Sequence, residues 1–125
     1  MAAPLPNPRS KRNRRWAGAS PHPYFTREAA ALLRDQSVQH VLVDVPSLDR
    51  ADDGGRMIAH RTFWELASTG HATTPPALGR TITELIYVPD AVADGPGLLN
   101  LQVSPLGNDA VPSRPVFMPL VEGAP

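Results

Sequence analysis

At 125 residues the chain holds at most one small domain with a modest core. Twelve Lys and Arg balance twelve Asp and Glu, so no net charge draws it toward nucleic acid or an anionic membrane. Cysteine is absent, which excludes disulfides, thiolate nucleophiles and zinc–sulfur sites and leaves His, Asp, Glu or water to hold any metal.

No apolar run approaches the roughly 20 residues of a membrane span, and no apolar h-region follows the basic residues near the N-terminus, so neither a membrane helix nor a signal peptide is read. A cytoplasmic location is the resulting expectation. The 15 prolines cluster at the two ends and in loops, which places the foldable part at 24–121 and leaves 122–125 as a tail.

Residues 1–23 carry prolines, Trp16 and the basic cluster Lys11, Arg12, Arg14 and Arg15, with neither helical nor strand periodicity. A poorly ordered arm is expected. One short basic cluster in a neutral chain favours a solvated tail over a nucleic-acid contact.

Thr26 to Gln36 is the clearest helix: Thr26 can cap it, Glu28 and Arg34 suit its dipole, and Ala29, Leu32 and Leu33 fall at helical spacing. His40 to Val45 reads as a strand, β-branched at 41, 43 and 45 and ended by Pro46. Asp44, Ser47 and Asp49 occupy the loop that follows, where binding groups often sit but where Asp-Pro-Ser is also ordinary turn chemistry.

Ala51 to Gly55 is an acidic loop, and Arg56 to Leu66 a short helix that contains His60. A lone histidine in such a segment is more often a surface or hydrogen-bonded core residue than a ligand. Ser68 to Arg80 is loop, and His71 within it has no assigned role. Thr81 to Val88 is a second strand, in which period two puts Ile82, Glu84, Ile86 and Val88 on one face. A carboxylate on an apolar face requires a cation, a hydrogen-bonding partner or a proton. It could be satisfied by an arginine such as Arg80 or Arg114, by solvent on an exposed face, or by a metal. Leu98 to Val103 reads as a third strand and Val116 to Leu120 as a short edge strand, confined there by Pro115 and Pro119.

The chain has no glycine-rich phosphate loop, HExxH or GxSxG, and no residue is assigned as catalytic. The candidate metal ligands are His60 and Glu84.

Four blocks in order, HVLVDVPSLDR, GGRMIAHRTFW, TITELIYVPD and LLNLQVSPLGNDAVPSRPV, together resemble the cyclase family of metal-dependent hydrolases, to which bacterial kynurenine formamidase belongs. The upstream PYFTREAAALL is similar to the helix that precedes the first of these strands in the family. The resemblance covers roughly Pro21 to Leu120 and implies an α/β fold of the swivelling β/β/α type, incomplete here, with a mixed sheet and one clear helix. It implies hydrolysis of a formamide or related amide, such as N-formylkynurenine in tryptophan catabolism, at a divalent zinc or manganese site. By position, His60 and Glu84 look like the family's late histidine and glutamate ligands, and Asp44, Ser47 and Asp49 match a stretch near the substrate pocket.

Family members also carry an early H-x-G-T-H-x-D-x-P-x-H motif, which supplies most of the ligands and which does not occur here. The chain therefore resembles the later half alone, a fragment expected to be inactive in isolation. The expected partners are a small amide substrate if the site is complete, and otherwise a second copy or a full-length relative, with neither nucleic acid nor membrane. A non-catalytic protein that pairs with such a relative is the alternative reading, because a half-domain exposes strand edges and apolar surface.

Overall fold

The computed structural model describes residues 22–67 and 79–120. All but the last two residues of the basic arm, most of the loop that holds His71, and the tail lie outside the described residues. The chain expected to form one domain over 24–121 divides after Tyr87 into two compact units.

The first unit begins with helix α1, Arg27–Asp35. Thr26 is its N-cap, and its hydroxyl oxygen accepts from the Ala29 N–H, which satisfies one of the donors a helix start leaves open. Ala30 is the fully buried residue of α1, with Leu33 packed against the same core. Leu32, placed on the apolar stripe by its spacing, is 60% exposed. Strand β1, His40–Leu42, follows. Helix α2, Ile58–Phe63, then leads to strand β2, Thr81–Thr83, which lies parallel to β1 with His40 opposite Thr81 and Leu42 opposite Thr83.

Both strands are shorter than expected. The pairing continues past them as isolated bonds: Val43 N–H donates to Thr83 O, Leu85 N–H to Val45 O and Ile86 N–H to Val43 O. Leu85 breaks the second strand with a φ of 57°, a left-handed conformation in which period-two alternation cannot continue. The single face expected for Ile82, Glu84, Ile86 and Val88 therefore does not form. Glu84 instead occupies the turn that ends β2.

The core of this unit joins Val41, Val43 and Val45 of the first strand region to Leu48, Ala59 and Phe63. Leu48 and Phe63 are fully buried. At about 25 cal/mol per Å2 of apolar surface removed from water, such side chains each contribute on the order of 2 kcal/mol. The chain entry is fastened to this core by the Phe25 N–H, which donates to Leu48 O at 2.8 Å.

The second unit is a β-hairpin. Strand β3, Gly97–Val103, pairs antiparallel with β4, Ser113–Pro119, from Gly97 opposite Pro119 to Val103 opposite Ser113. Pro115 and Pro119 are accommodated because a two-stranded sheet consists of edges. The Phe117 ring lies where a Cβ on Gly97 would have to be, so this glycine is required by close approach. Among the described residues the parallel and antiparallel pairs form two sheets, where one mixed sheet was expected, and the two helices are those read from the sequence, the second shortened from 56–66 to Ile58–Phe63.

Candidate functional site

His60 sits in α2 with its ring turned into the first unit, its side chain only 9% exposed. Two carboxylates flank it. Asp49 Oδ2 is 2.7 Å from His60 Nδ1, and Glu84 Oε1 is 3.3 Å from His60 Nε2. The edge of the imidazole meets Trp64, with ring centroids 5.3 Å apart.

The backbone explains why these groups meet. Helix α2 has no cap of its own, because Met57 at its N-cap is in the left-handed region and makes no side-chain cap bond. Asp49 supplies the cap from a distance. Its Oδ1 accepts from the Ala59 N–H at 2.6 Å, and its Oδ2 accepts a longer bond from the His60 N–H at 3.4 Å. One buried carboxylate thus closes the open end of the helix and fixes the ring of the histidine that the helix carries.

Glu84 is held from the loop after β1. Its Oε1 accepts from the Leu48 N–H at 2.7 Å, and the Ser47 hydroxyl also hydrogen-bonds its carboxylate. The Ser47 oxygen in turn accepts from the Asp49 N–H at 3.2 Å. Residues 47 to 49 therefore supply one of the carboxylates that grip His60 and hold the other.

The protonation states follow from this geometry. Burial works against a charged His60, but the hydrogen bonds and charges of Glu84 and Asp49 outweigh it and raise its pKa above the usual imidazole value. Burial likewise disfavours the Glu84 carboxylate. The hydrogen bonds from His60 and the Leu48 N–H, the His60 charge and the Ser47 hydroxyl prevail and lower its pKa.

The donor chemistry suits a divalent ion along one edge. Two ligand atoms each roughly 2.0–2.1 Å from a tetrahedral ion lie roughly 3.3–3.4 Å apart, and the Nε2–Oε1 separation is 3.3 Å. A carboxylate on the other ring nitrogen is the usual support of a metal-binding histidine. The same spacing suits an N–H donated to Glu84, so ion and proton compete for Nε2. The ligand count is short: among the described residues no group of three or more His, Cys, Asp or Glu could hold a metal together.

Of the residues singled out from the sequence, His60, Glu84, Ser47 and Asp49 come together. Asp49, grouped with the substrate pocket, faces inward and is 6% exposed. Asp44 is half-buried in the bend after β1. Arg80, offered as a partner for Glu84, instead pairs with Glu65 and donates to Phe63 O. The role missed from the sequence was that of Asp49 as cap and orienting group. It lies ten residues before the first helical N–H it binds, so no local capping pattern signals it.

No protein-family model, curated protein or solved structure matches the chain. Among the described residues no helix is long and apolar enough to cross a membrane.

Proposed function

We propose that His60 and Glu84 form one edge of a divalent-metal site serving hydrolysis of a formamide or related amide. The substrate class comes from the cyclase-family resemblance of the four sequence blocks, in which the formamidase branch acts on N-formylkynurenine. The observation that carries the site is the 3.3 Å approach of His60 Nε2 to Glu84 Oε1 with Asp49 fixed on Nδ1.

In this reading Asp49 keeps a proton on Nδ1 and so presents the Nε2 lone pair to an ion. Ser47 and the Leu48 N–H hold the Glu84 carboxylate in place beside it. When bound, zinc or manganese would supply Lewis acidity toward an amide carbonyl. Two ligands leave coordination incomplete, so at least one more comes from outside the described residues or from a second polypeptide. Without it the chain binds metal weakly and does not turn over substrate.

The test is titration of the full chain with Zn2+ or Mn2+, read by calorimetry and by Trp64 fluorescence in a Trp16→Phe background. Binding should release about one proton, because the ion replaces the proton on Nε2. Asp49→Asn should weaken binding roughly 10–100-fold, and Glu84→Gln should abolish it. Binding unchanged in Glu84→Gln, or absent in the parent chain at millimolar metal, overturns the proposal.

The exposed apolar side chains of the hairpin favour a second reading, a non-catalytic protein that pairs with a relative or a second copy. A chain that stays monomeric at high concentration and binds metal unaided would exclude it.

A further inference from the structure

The two edges of the hairpin are finished differently. The Ser104 N–H donates to Pro112 O and the Leu120 N–H to Pro96 O. Both pairs continue the register in which Gly97 lies opposite Pro119. Bonded and unbonded pairs alternate along an antiparallel ladder. The even-numbered residues of β3 therefore bond to β4, and the N–H and C=O groups of Gly97, Leu99, Leu101 and Val103 point the other way. Among the described residues β4 is the one strand paired with β3, so that other side is an open edge.

On β4 the outward positions are 113, 115, 117 and 119 by the same alternation. Proline fills 115 and 119 and removes the donor an incoming strand would need at each. Arg114 adds a charge between them and the strand start. These are the usual defences of an edge strand. The β3 edge has none of them. Gly97–Val103 holds no proline, and no charged residue stands between Asp94 and Asp109.

We propose that the open edge of β3 pairs antiparallel with β3 of a second copy, about a two-fold axis at Asn100. The outward positions 97, 99, 101 and 103 are symmetric about Asn100. Leu99 then meets the partner's Leu101, and Gly97 meets the partner's Val103, all in hydrogen-bonded pairs. The strand is thus in phase with itself, gains about eight backbone hydrogen bonds and closes at a dimer. Asn100 meets its own copy in an unbonded pair, where side chains approach most closely, and each amide can donate to the other's oxygen.

Charge selects a copy over another strand. A charged partner strand finds no counter-charge along 95–108, whereas β3 against itself sets no like charges opposite each other. The axis is normal to the sheet, so Leu99, Leu101, Val103 and Phe117 of both copies fall on one side. A hairpin that is marginal alone becomes the middle and rim of a wider sheet. The inference rests on the pairing reading given above, which it narrows to one strand edge, and it needs neither His60 nor a metal.

The experiment is sedimentation equilibrium of the full chain in EDTA across roughly 1–500 μM. The mass should rise to twice that of the chain and stop there. Asn100→Lys and Asn100→Asp each set like charges face to face at the axis and should each raise the dimer Kd at least about tenfold. An equal mixture of the two should restore association, which separates lost pairing from lost folding. Leu101→Pro, which mirrors Pro115 across the ladder, should abolish the dimer and leave the hairpin intact. Hydrogen exchange should show the Leu99, Leu101 and Val103 amides gaining protection with concentration, and the Ser113 and Phe117 amides not. A monomer at every concentration overturns this inference and pairing with a copy together. A dimer indifferent to charge at Asn100, a loss that mixing does not rescue, or a mass that climbs past twice the chain without levelling overturns the β3 edge alone.

Discussion

The two units differ in that the fully buried apolar residues among those described all lie in the first. In the first, Val41, Val43, Val45, Leu48, Ala59 and Phe63 are buried around a helix and a parallel strand pair. In the second, Leu98, Val103, Phe117 and Met118 are exposed, Leu98 at 59% and Met118 at 46%. A lone two-stranded hairpin is marginal in water, and three strands or a covering layer are needed for independent stability. Length does not separate the units, since the hairpin strands are the longest among the described residues. The difference lies in what each apolar face has to pack against.

Two phenylalanines put that contrast to its strongest test. Phe63 is fully buried and Phe117 is 41% exposed. Phe63→Ala should cost about 3–5 kcal/mol in urea unfolding, enough to unfold most small domains. Phe117→Ala should cost roughly 1 kcal/mol or less. Equal costs would mean that the hairpin face is covered in solution.

The next effect belongs to Asp49. Asp49→Asn retains one acceptor for the helix N–H groups but removes the charge beside His60, and a loss of about 1–3 kcal/mol is expected in the same assay. A loss below about 0.5 kcal/mol would show that the buried contact between Asp49 and His60 does not hold α2 to the loop after β1.

Helix α1 was legible because its signals are local: the Thr26 cap, Glu28 in the first turn and a run of alanines and leucines. The hairpin strands were legible for the same reason, although β4 begins three residues before its expected start because pairing with β3, and not propensity, sets its end. The ends of β1 and β2 were not. A left-handed Leu85 is a tertiary outcome in a residue that rarely adopts it, imposed where the Leu85 N–H bonds to Val45 O. At the site, His60 and Glu84 stood out as polar residues in apolar segments. Asp49 and Ser47 stood out only as pocket candidates, and their pairing with these two residues did not, because they and the Leu48 N–H reach them across gaps of 11 to 37 residues.

A smaller effect should appear with pH, in EDTA so that no metal intervenes. The folded His60 pKa lies above its usual 6.5, so its contribution to stability is complete below about 6.5 and fades as pH rises through the folded value. The folded Glu84 pKa lies below its usual 4.5, so its contribution is complete above about 4.5 and fades as pH falls through the folded value. The first unit should therefore be most stable between about 4.5 and 6.5 on account of this pair. Urea midpoints at pH 5.5 and 8.5 test the alkaline side. The parent chain should lose stability at pH 8.5, and His60→Gln should show a flatter profile from a lower start. An equal decline in both would place the titration elsewhere.

The smallest effect on stability, and the sharpest for the hairpin, comes from Leu98→Ser with Met118→Ser. These residues face each other across β3 and β4 and are both exposed. Because the side chains lie mostly in water already, the pair should shift unfolding by no more than roughly 0.5 kcal/mol per site. Association should respond instead: apolar surface of this kind, next to open strand edges, drives self-pairing or capture by another sheet. Light scattering after gel filtration should therefore show a parent chain that grows in mass with concentration and a double variant that does so less. If the variant loses several kcal/mol and its association is unchanged, these side chains are packed within the monomer, and the contrast between the two units disappears.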